Sequence, residues 1–396
     1  MSRIDDARRR TLIQCYRDGL LTDTIPFWTN HAPDLEHGGF FTALNRDGSV
    51  MDTDKSVWHQ GRFTWMLGEL YNNVEQNPEW LELAKIGTDF LEQQCFDESD
   101  GRMWFHVTRE GKPIRKRRYA FSEAFAAIGF GEVAKATGES RYAKLAEKCL
   151  RKFIQHSRDP QGVEPKFTEH RPMVGIGIPM IVIGAAQELR ESVQLANANE
   201  LIDEAIDRIA TLHMKPEHKC VLETVGPNGE IIDHFDGRLL NPGHAIEAAW
   251  FVLREAEHRD DQALLRMGLN ILDWMWEWGW DNDHGGILYF RDLRDLPPQE
   301  YWHDMKFWWP QNEAIIATLY AYTLTQNPKY ADWHQLIHDW AHNYFVDEHF
   351  GEWYGYLHRD GRVSQSAKGN LWKGCFHLPR MQLVCWKLLQ AMTPSL

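Results

Sequence analysis

Several things are scarce in this chain, and each shortage excludes a class of protein. None of its 396 residues belong to an unbroken apolar run of eighteen or more, so nothing in it is expected to span a membrane. The opening segment MSRIDDARRRTLIQCYRDGL carries too much charge for a secretory signal, and the expected location is the cytoplasm. Positive charge is in deficit, with a formal net charge of −14. That argues against nucleic acid, whose phosphates need a basic face. The six cysteines, Cys15, Cys95, Cys149, Cys220, Cys375 and Cys385, include no C-x-x-C pair and are spread along the chain. They read as reduced thiols, mostly buried. Cys375 alone lies beside candidate chemistry, and a packing role suits it. Nineteen histidines provide no H-E-x-x-H and no His-x-His pair, and the expectation is that no metal is used. A P-loop is missing, and so is a G-x-G-x-x-G after a strand.

What is present is ordinary in bulk, at 43% hydrophobic and 25% charged residues, and long enough for two or three domains or one large barrel. The eighteen tryptophans stand out. Most read as core, although aromatic faces also stack on the C–H faces of sugar rings. An internal repeat decides the architecture. The segments EHGGFFTALNRDG (36–48), ESDGRMWFHVTREG (98–111), RDPQGVEPKF (158–167), KPEHKCVLETVGPNG (215–229), DNDHGGILYFRD (281–292) and DEHFGEWYGYLHRDG (347–361) recur roughly every sixty residues. Most pass from an acidic or turn residue through a glycine and an aromatic or β-branched run to a second turn, which predicts a short β-hairpin or extended loop. Between them lie pairs of apolar-periodic stretches, such as GRFTWMLGELYNNV and PEWLELAKIGTDFLEQQ, broken at Asn77-Pro78. With an initial helix at about 3–29 and a final one at about 370–391, the count is twelve helices in six pairs. The expected fold is all-α: an (α/α)6 barrel with short β-hairpins at one mouth, in a single domain over 1–396. An open solenoid of helix pairs is the alternative. Closure is favoured because the first and last helices are unpaired and would pair with each other, and because no polar capping repeat marks either end.

In such a barrel the helix after each hairpin lines the inside. Polar residues collect where those six helices begin: His59, Gln60 and Arg62; Arg117, Arg118, Tyr119, Ser122 and Glu123; His170 and Arg171; Asn241, His244 and Glu247; Lys306, Trp308, Gln311 and Glu313; Lys373, His377 and Arg380. Their later turns are more apolar, which is the footprint of a pocket with convergent polar groups. His244, after Asn241 and Pro242, could serve as a helix cap, but Glu247 shares its face. Glu313 could be a first-turn acid favoured by the helix dipole. Arg62, on an otherwise apolar helix, needs a carboxylate partner or an anionic substrate. The basic run 115–118 reads as a solvated loop.

The motifs VWHQGRFTWM, NPGHAIEAAW, GWDNDHGGILYF, MKFWWPQNEA and KGCFHLPR resemble the N-acylglucosamine 2-epimerase family along essentially the whole chain. The resemblance implies an (α/α)6 barrel and interconversion of N-acetylglucosamine and N-acetylmannosamine, with related branches that epimerise cellobiose or isomerise mannose. It implies His244 and His377 as an acid/base pair, Arg62, Glu247 and Glu313 as residues that hold and polarise the sugar, and Tyr119 and Trp308 as further substrate contacts. A homodimer, and ATP as an effector that is not consumed, also follow from it. His59 stands where the motif leads one to expect leucine. Asn370-Leu371-Trp372 leans toward the neutral-sugar branches. Epimerisation at C2 needs a proton removed from one face and returned to the other, and two imidazoles suit that near neutral pH. Arg62, Lys373 or Arg380 could stabilise the enolate oxygen. An inverting glycoside hydrolase using Glu247 and Glu313, and a non-catalytic helical array, are the rival readings.

Overall fold

The computed structural model describes residues 4–159 and 166–392. The hairpin expected at 158–167 therefore falls mostly outside the described residues. Six helices form an inner ring: Val57–Asn73, Phe121–Thr137, Gly177–Val193, Pro242–Arg259, Trp308–Thr325 and His377–Ala391. Each is backed by an outer helix: Pro78–Gln94, Ser140–Arg158, Ala198–Arg208, Gln262–Gly279 and Pro328–Phe345, with the sixth place taken by the N-terminal helix. That helix is one run, Asp6–Asp18 continuing through a π-helical turn Gly19–Thr24 into Ile25–His31.

The two rings differ because their sequences do. Trp308–Thr325 is buried continuously from Trp308 to Tyr322, as expected of a helix that is apolar on all sides. The outer helix Ser140–Arg158 instead buries one stripe, Tyr142, Ala146, Cys149, Leu150 and Phe153. Asparagine caps with proline at the first helical position start several helices. Asn77 Oδ1 accepts from the Glu79 N–H at 3.0 Å, and Asn327 Oδ1 from Lys329 at 3.1 Å. The inner helices pack closely at small residues: a Cβ on Gly61 would lie 2.5 Å from the Phe125 carbonyl carbon of the next inner helix.

The ring is closed. Lys387 Nζ donates to the Asn73 carbonyl at 2.8 Å, joining the last inner helix to the first. Trp65 and Phe376 meet edge to face at 5.3 Å across the same seam. The N-terminal helix completes the sixth pair, with Arg9 Nε donating to the Leu389 carbonyl at 3.0 Å.

A repeated ionic clasp fastens the hairpins. A buried aspartate takes a lysine from just before the next inner helix and an arginine from the next hairpin. Asp34 holds Lys55 (2.8 Å) and Arg109 (2.9 Å), and Asp281 holds Lys306 (3.0 Å) and Arg359 (2.8 Å). Asp347 holds Lys368 (3.0 Å) and, around the seam, Arg46 (2.7 Å). The three arginines are those of the NRDG, TREG and HRDG turns. The lysine is fully buried in each clasp, so removing its aspartate would strand a charge in a dry setting.

The third inner helix runs Gly177–Val193, the expected stretch GIPMIVIGAAQELRESV, but His170 and Arg171 are not at its start, because Val174–Gly175 intervenes and pairs as a strand with Thr224–Val225. One expected boundary moves. The last inner helix starts at His377 rather than near 370, because the Lys368 and Gly369 N–H groups are spent on the Leu44 carbonyl.

Candidate active site

The starts of the inner helices open on a cavity of about 1250 Å³, lined by Arg62, Tyr119, Glu223, His244, Glu247, Trp308, Trp309, His377 and Arg380 among others. Six of the seven residues singled out from the sequence line it, and the seventh, Glu313, is fully buried behind His377 and Arg380. His377 Nδ1 is 2.8 Å from Glu313 Oε1. A carboxylate only accepts, so Nδ1 carries the hydrogen and Nε2, which makes no hydrogen bond, is left to the cavity. Glu313 is fully engaged: Oε1 also accepts from Arg380 Nη2 at 2.7 Å, and Oε2 from Trp250 Nε1 at 2.7 Å. Arg380 Nη2 reaches Glu247 Oε1 as well, at 2.5 Å. Glu313 thus orients His377 and Arg380, while Glu247 keeps its second oxygen without a protein partner.

His244 has the same arrangement with a different acid. Its Nδ1 lies 3.0 Å from Glu223 Oε2, and its N–H is capped by Asn241 Oδ1 at 3.2 Å. Glu223 was not legible as a site residue. It lies in the hairpin 215–229, between the buried pairs Cys220–Val221 and Thr224–Val225, and an acid embedded in so apolar a strand is the one signal that marks it. Trp309 lies beside both imidazoles, its ring centroid 5.0 Å from that of His244 and 5.7 Å from that of His377. Gly243 makes room for it, since a Cβ there would sit 2.6 Å from the Trp309 ring.

The two histidines are driven apart electrostatically. Burial pushes the His377 pKa well below its ordinary value, helped by the Arg380 and Arg62 charges. Burial also opposes charge on His244, but Glu223, through charge and hydrogen bond, with Glu247 and Glu313 behind it, raises that imidazole above its ordinary value. Pairs of groups whose surroundings separate their pKa values are the usual arrangement for an acid and a base.

Arg62 is a buried cation with no ion pair among the described residues. Its guanidinium stacks 3.9 Å from the Phe125 ring centroid and 4.7 Å from that of Phe376, and its Nε has no partner. Burial brings its pKa down to about 9, against the attraction of Glu247. Trp308 closes the wall with its ring edge to His377 at a centroid distance of 6.0 Å. Tyr119 stacks on Phe121 at the rim.

Other polar residues at the helix starts serve the scaffold. Gln60 bonds both the N–H and the carbonyl of Phe40, Gln311 does the same for Ile287, and Glu123 accepts from the Met103 N–H. Lys306 belongs to a clasp. Lys373 is turned from the cavity into an ion pair with Glu352, so it is unavailable to an enolate. His170 and Arg171 are exposed. The run 115–118 lies nearer the site than a solvated loop would, because Arg117 and Arg118 reach the rim. His59 packs against Gly374, where a Cβ would come within 2.5 Å of its ring.

A model of the N-acylglucosamine 2-epimerase (GlcNAc 2-epimerase) family matches residues 39–378. The chain belongs to that family. It is 37% identical over 384 residues to the N-acylglucosamine 2-epimerase of Bos taurus, covering 95% of this chain and 91% of the bovine one. Identity to the cellobiose 2-epimerase of Ruminococcus albus is lower, 24% over 399 residues, covering 93% and 97% of the two chains. The solved cellobiose 2-epimerase of Bacillus thermoamylovorans superposes with a TM-score of 0.83 at 21% identity, over 97% of this chain and all of that one. This last likeness shows that the epimerase barrel is shared. The family is one of isomerases, and no helix among the described residues is long and apolar enough to cross a membrane.

Proposed function

We propose that this protein interconverts N-acetylglucosamine and N-acetylmannosamine, with one of His377 and His244 removing the C2 proton from one face of the ring-opened sugar and the other supplying a proton to the opposite face. The observation that carries the reading is the pair of imidazoles on one cavity. Each is held by a carboxylate at Nδ1, and their pKa values are moved in opposite directions. In one direction of reaction, neutral His377 takes the proton through Nε2. The C2–H electrons form the C1=C2 bond and the C1 oxygen becomes an enolate. Protonated His244 then donates to the opposite face of C2, and the C1 carbonyl is restored. Arg62, the cation without an internal counter-charge, stabilises the enolate oxygen. Arg380 is already shared between Glu247 and Glu313 and orients rather than neutralises. Glu247 offers its open oxygen, and Tyr119 and Trp308 offer polar and aromatic surface, to the sugar.

The greater identity to the N-acyl enzyme than to the cellobiose enzyme favours an acylated amino sugar over the neutral-sugar lean of Asn370-Leu371-Trp372. The inverting hydrolase loses its geometry. Oxygens of Glu247 and Glu313 lie within 4.8 Å of each other, bridged by Arg380, whereas inverting pairs stand roughly 6.5–9.5 Å apart. The reading includes a cytoplasmic homodimer with ATP as an effector that is not consumed.

Proton NMR of the purified protein with N-acetylmannosamine in D₂O, with and without ATP, tests it. N-acetylglucosamine carrying deuterium at C2 is the expected product, and a faster rate with ATP supports the effector. No exchange in either condition, with exchange on cellobiose or mannose, would replace the substrate.

A further inference from the structure

Far from the sugar cavity, the outer helix Pro328–Phe345 carries His334, His338 and His342 at i, i+4 and i+8, one column on one face. The column faces the N-terminal helix. Tyr16 Oη lies 2.8 Å from His338 Nδ1 and 2.9 Å from His334 Nε2. His342 Nδ1 is 2.8 Å from the His338 carbonyl. A carbonyl only accepts, so His342 Nδ1 carries its hydrogen and Nε2 keeps a lone pair. His338 Nδ1 is likewise engaged, by Tyr16, which leaves Nε2 as its open nitrogen. Cys15, one residue before Tyr16, brings a thiol to the same place. It is half-buried, whereas the other five cysteines are fully buried. One donor atom each from Cys15, His338 and His342 lie within 4.8 Å of one another.

We propose that Cys15, His338 and His342 form a site for a zinc-class divalent cation that staples the N-terminal helix to the outer helix Pro328–Phe345. One sulfur and two imidazole nitrogens are the donor set that such borderline-soft ions take in tetrahedral sites with a fourth position open. Zinc bond lengths of ~2.0–2.3 Å put tetrahedral donors about 3.3–3.7 Å apart, so from within 4.8 Å the trio closes by about 1.5 Å at most on binding. The hydrogen bonds from His342 to a carbonyl and from His338 to Tyr16 are the outer contacts that fix a ligating imidazole's tautomer and orientation. All three histidines are kept neutral by burial, the form that coordinates. The thiol is raised by burial and releases its proton to solvent as the metal binds. The nearby Arg8 charge is taken up by Asp339 at 3.1 Å, and Asp18 adds a negative charge on the Cys15 side. This goes beyond the absence of metal motifs in the sequence: the histidines are spaced by helix turns, and the thiol is more than three hundred residues away.

The test is titration of chelator-treated full-length protein with Co²⁺ and Zn²⁺. One equivalent of Co²⁺ should give a near-ultraviolet thiolate-to-cobalt charge-transfer band, and Zn²⁺ should displace it. The band should vanish in Cys15→Ser and in His342→Ala, and Zn²⁺ should raise the melting temperature of the wild type but not of either variant. Zn²⁺ should also slow alkylation of Cys15 in the unaltered protein, a readout that needs no variant. No band at saturating Co²⁺, no protection from alkylation, or metal binding that survives Cys15→Ser would overturn the proposal. Cobalt binding without a sulfur band would likewise overturn it and place the ion on carboxylate or imidazole donors elsewhere, such as Glu69, Glu132 and Glu188.

Discussion

The His244 corner and the His377 corner of the cavity hold the same chemical unit, an imidazole with a carboxylate on Nδ1, yet their protonation preferences diverge. Around His377 burial is reinforced by the charges of Arg380 and Arg62, which outweigh Glu247. Around His244 the further charges, Glu247 and Glu313, add to the pull of Glu223, and 30% of the side chain is exposed. A carboxylate on Nδ1 therefore does not by itself set the charge state of a histidine. Burial and the sign of the further charges decide whether that partner prevails.

The hardest test of that contrast removes the imidazoles. His377→Ala and His244→Ala should each lower kcat by ~10²–10⁴-fold while circular dichroism stays unchanged, because each step loses its proton carrier. Full activity in either would end the two-histidine relay. Arg62→Ala should follow, with kcat down on the order of 10²-fold and a smaller change in KM, since its charge is needed most when the enolate forms.

The acids should separate by stability as well as rate. Glu313→Gln leaves Arg380 with one buried partner in place of two, and denaturant unfolding should show a loss of about 3–5 kcal/mol. Glu223→Gln, at a pair that keeps some solvent contact and where the amide retains a hydrogen bond to His244, should cost only about 1 kcal/mol. Its signature is in the pH profile. In the direction that starts with neutral His377 and protonated His244, the acid limb lies below the free-imidazole value of ~6.5 and the alkaline limb above it. Glu223→Gln removes the contribution that raises His244 and keeps the burial that lowers it. The alkaline limb should therefore move to lower pH while the acid limb stays put.

The clasps are read by stability alone. Arg46→Ala removes a partly exposed arginine from Asp347, and only a small loss is expected by thermal or denaturant unfolding, because solvent screens the pair. Asp347→Asn should cost several times more, because Lys368 is left charged and dry. The carboxyls of Asp34, Asp281 and Asp347 are all held below the ordinary range: burial works against this, and their arginine and lysine partners outweigh it. The stability they give is present at neutral pH and lost as the pH falls below about 3.9, the unfolded carboxyl value, towards the depressed folded values.

Much of this was written in the chain. Apolar periodicity and the recurring turns determined twelve helices and their pairing, because each helix declares its own buried face within a few residues. Most of the candidate residues stood out because they lie near the starts of inner helices, where apolar sequence makes a polar residue conspicuous; Tyr119 and Trp308 came from the family resemblance. Tertiary structure alone decided which polar residues face the cavity and which hold the scaffold. Gln60, Gln311 and Lys373 look like site residues in one dimension and bond backbone or Glu352 in three. It also decided that Glu223 serves His244, that Arg62 goes unpaired, and that the two histidines differ in charge. The physical reason is range. Helix propensity and burial pattern are local, whereas a hydrogen-bond partner or a neighbouring charge acts over a few ångströms and here comes from 21, 64 or 133 residues away.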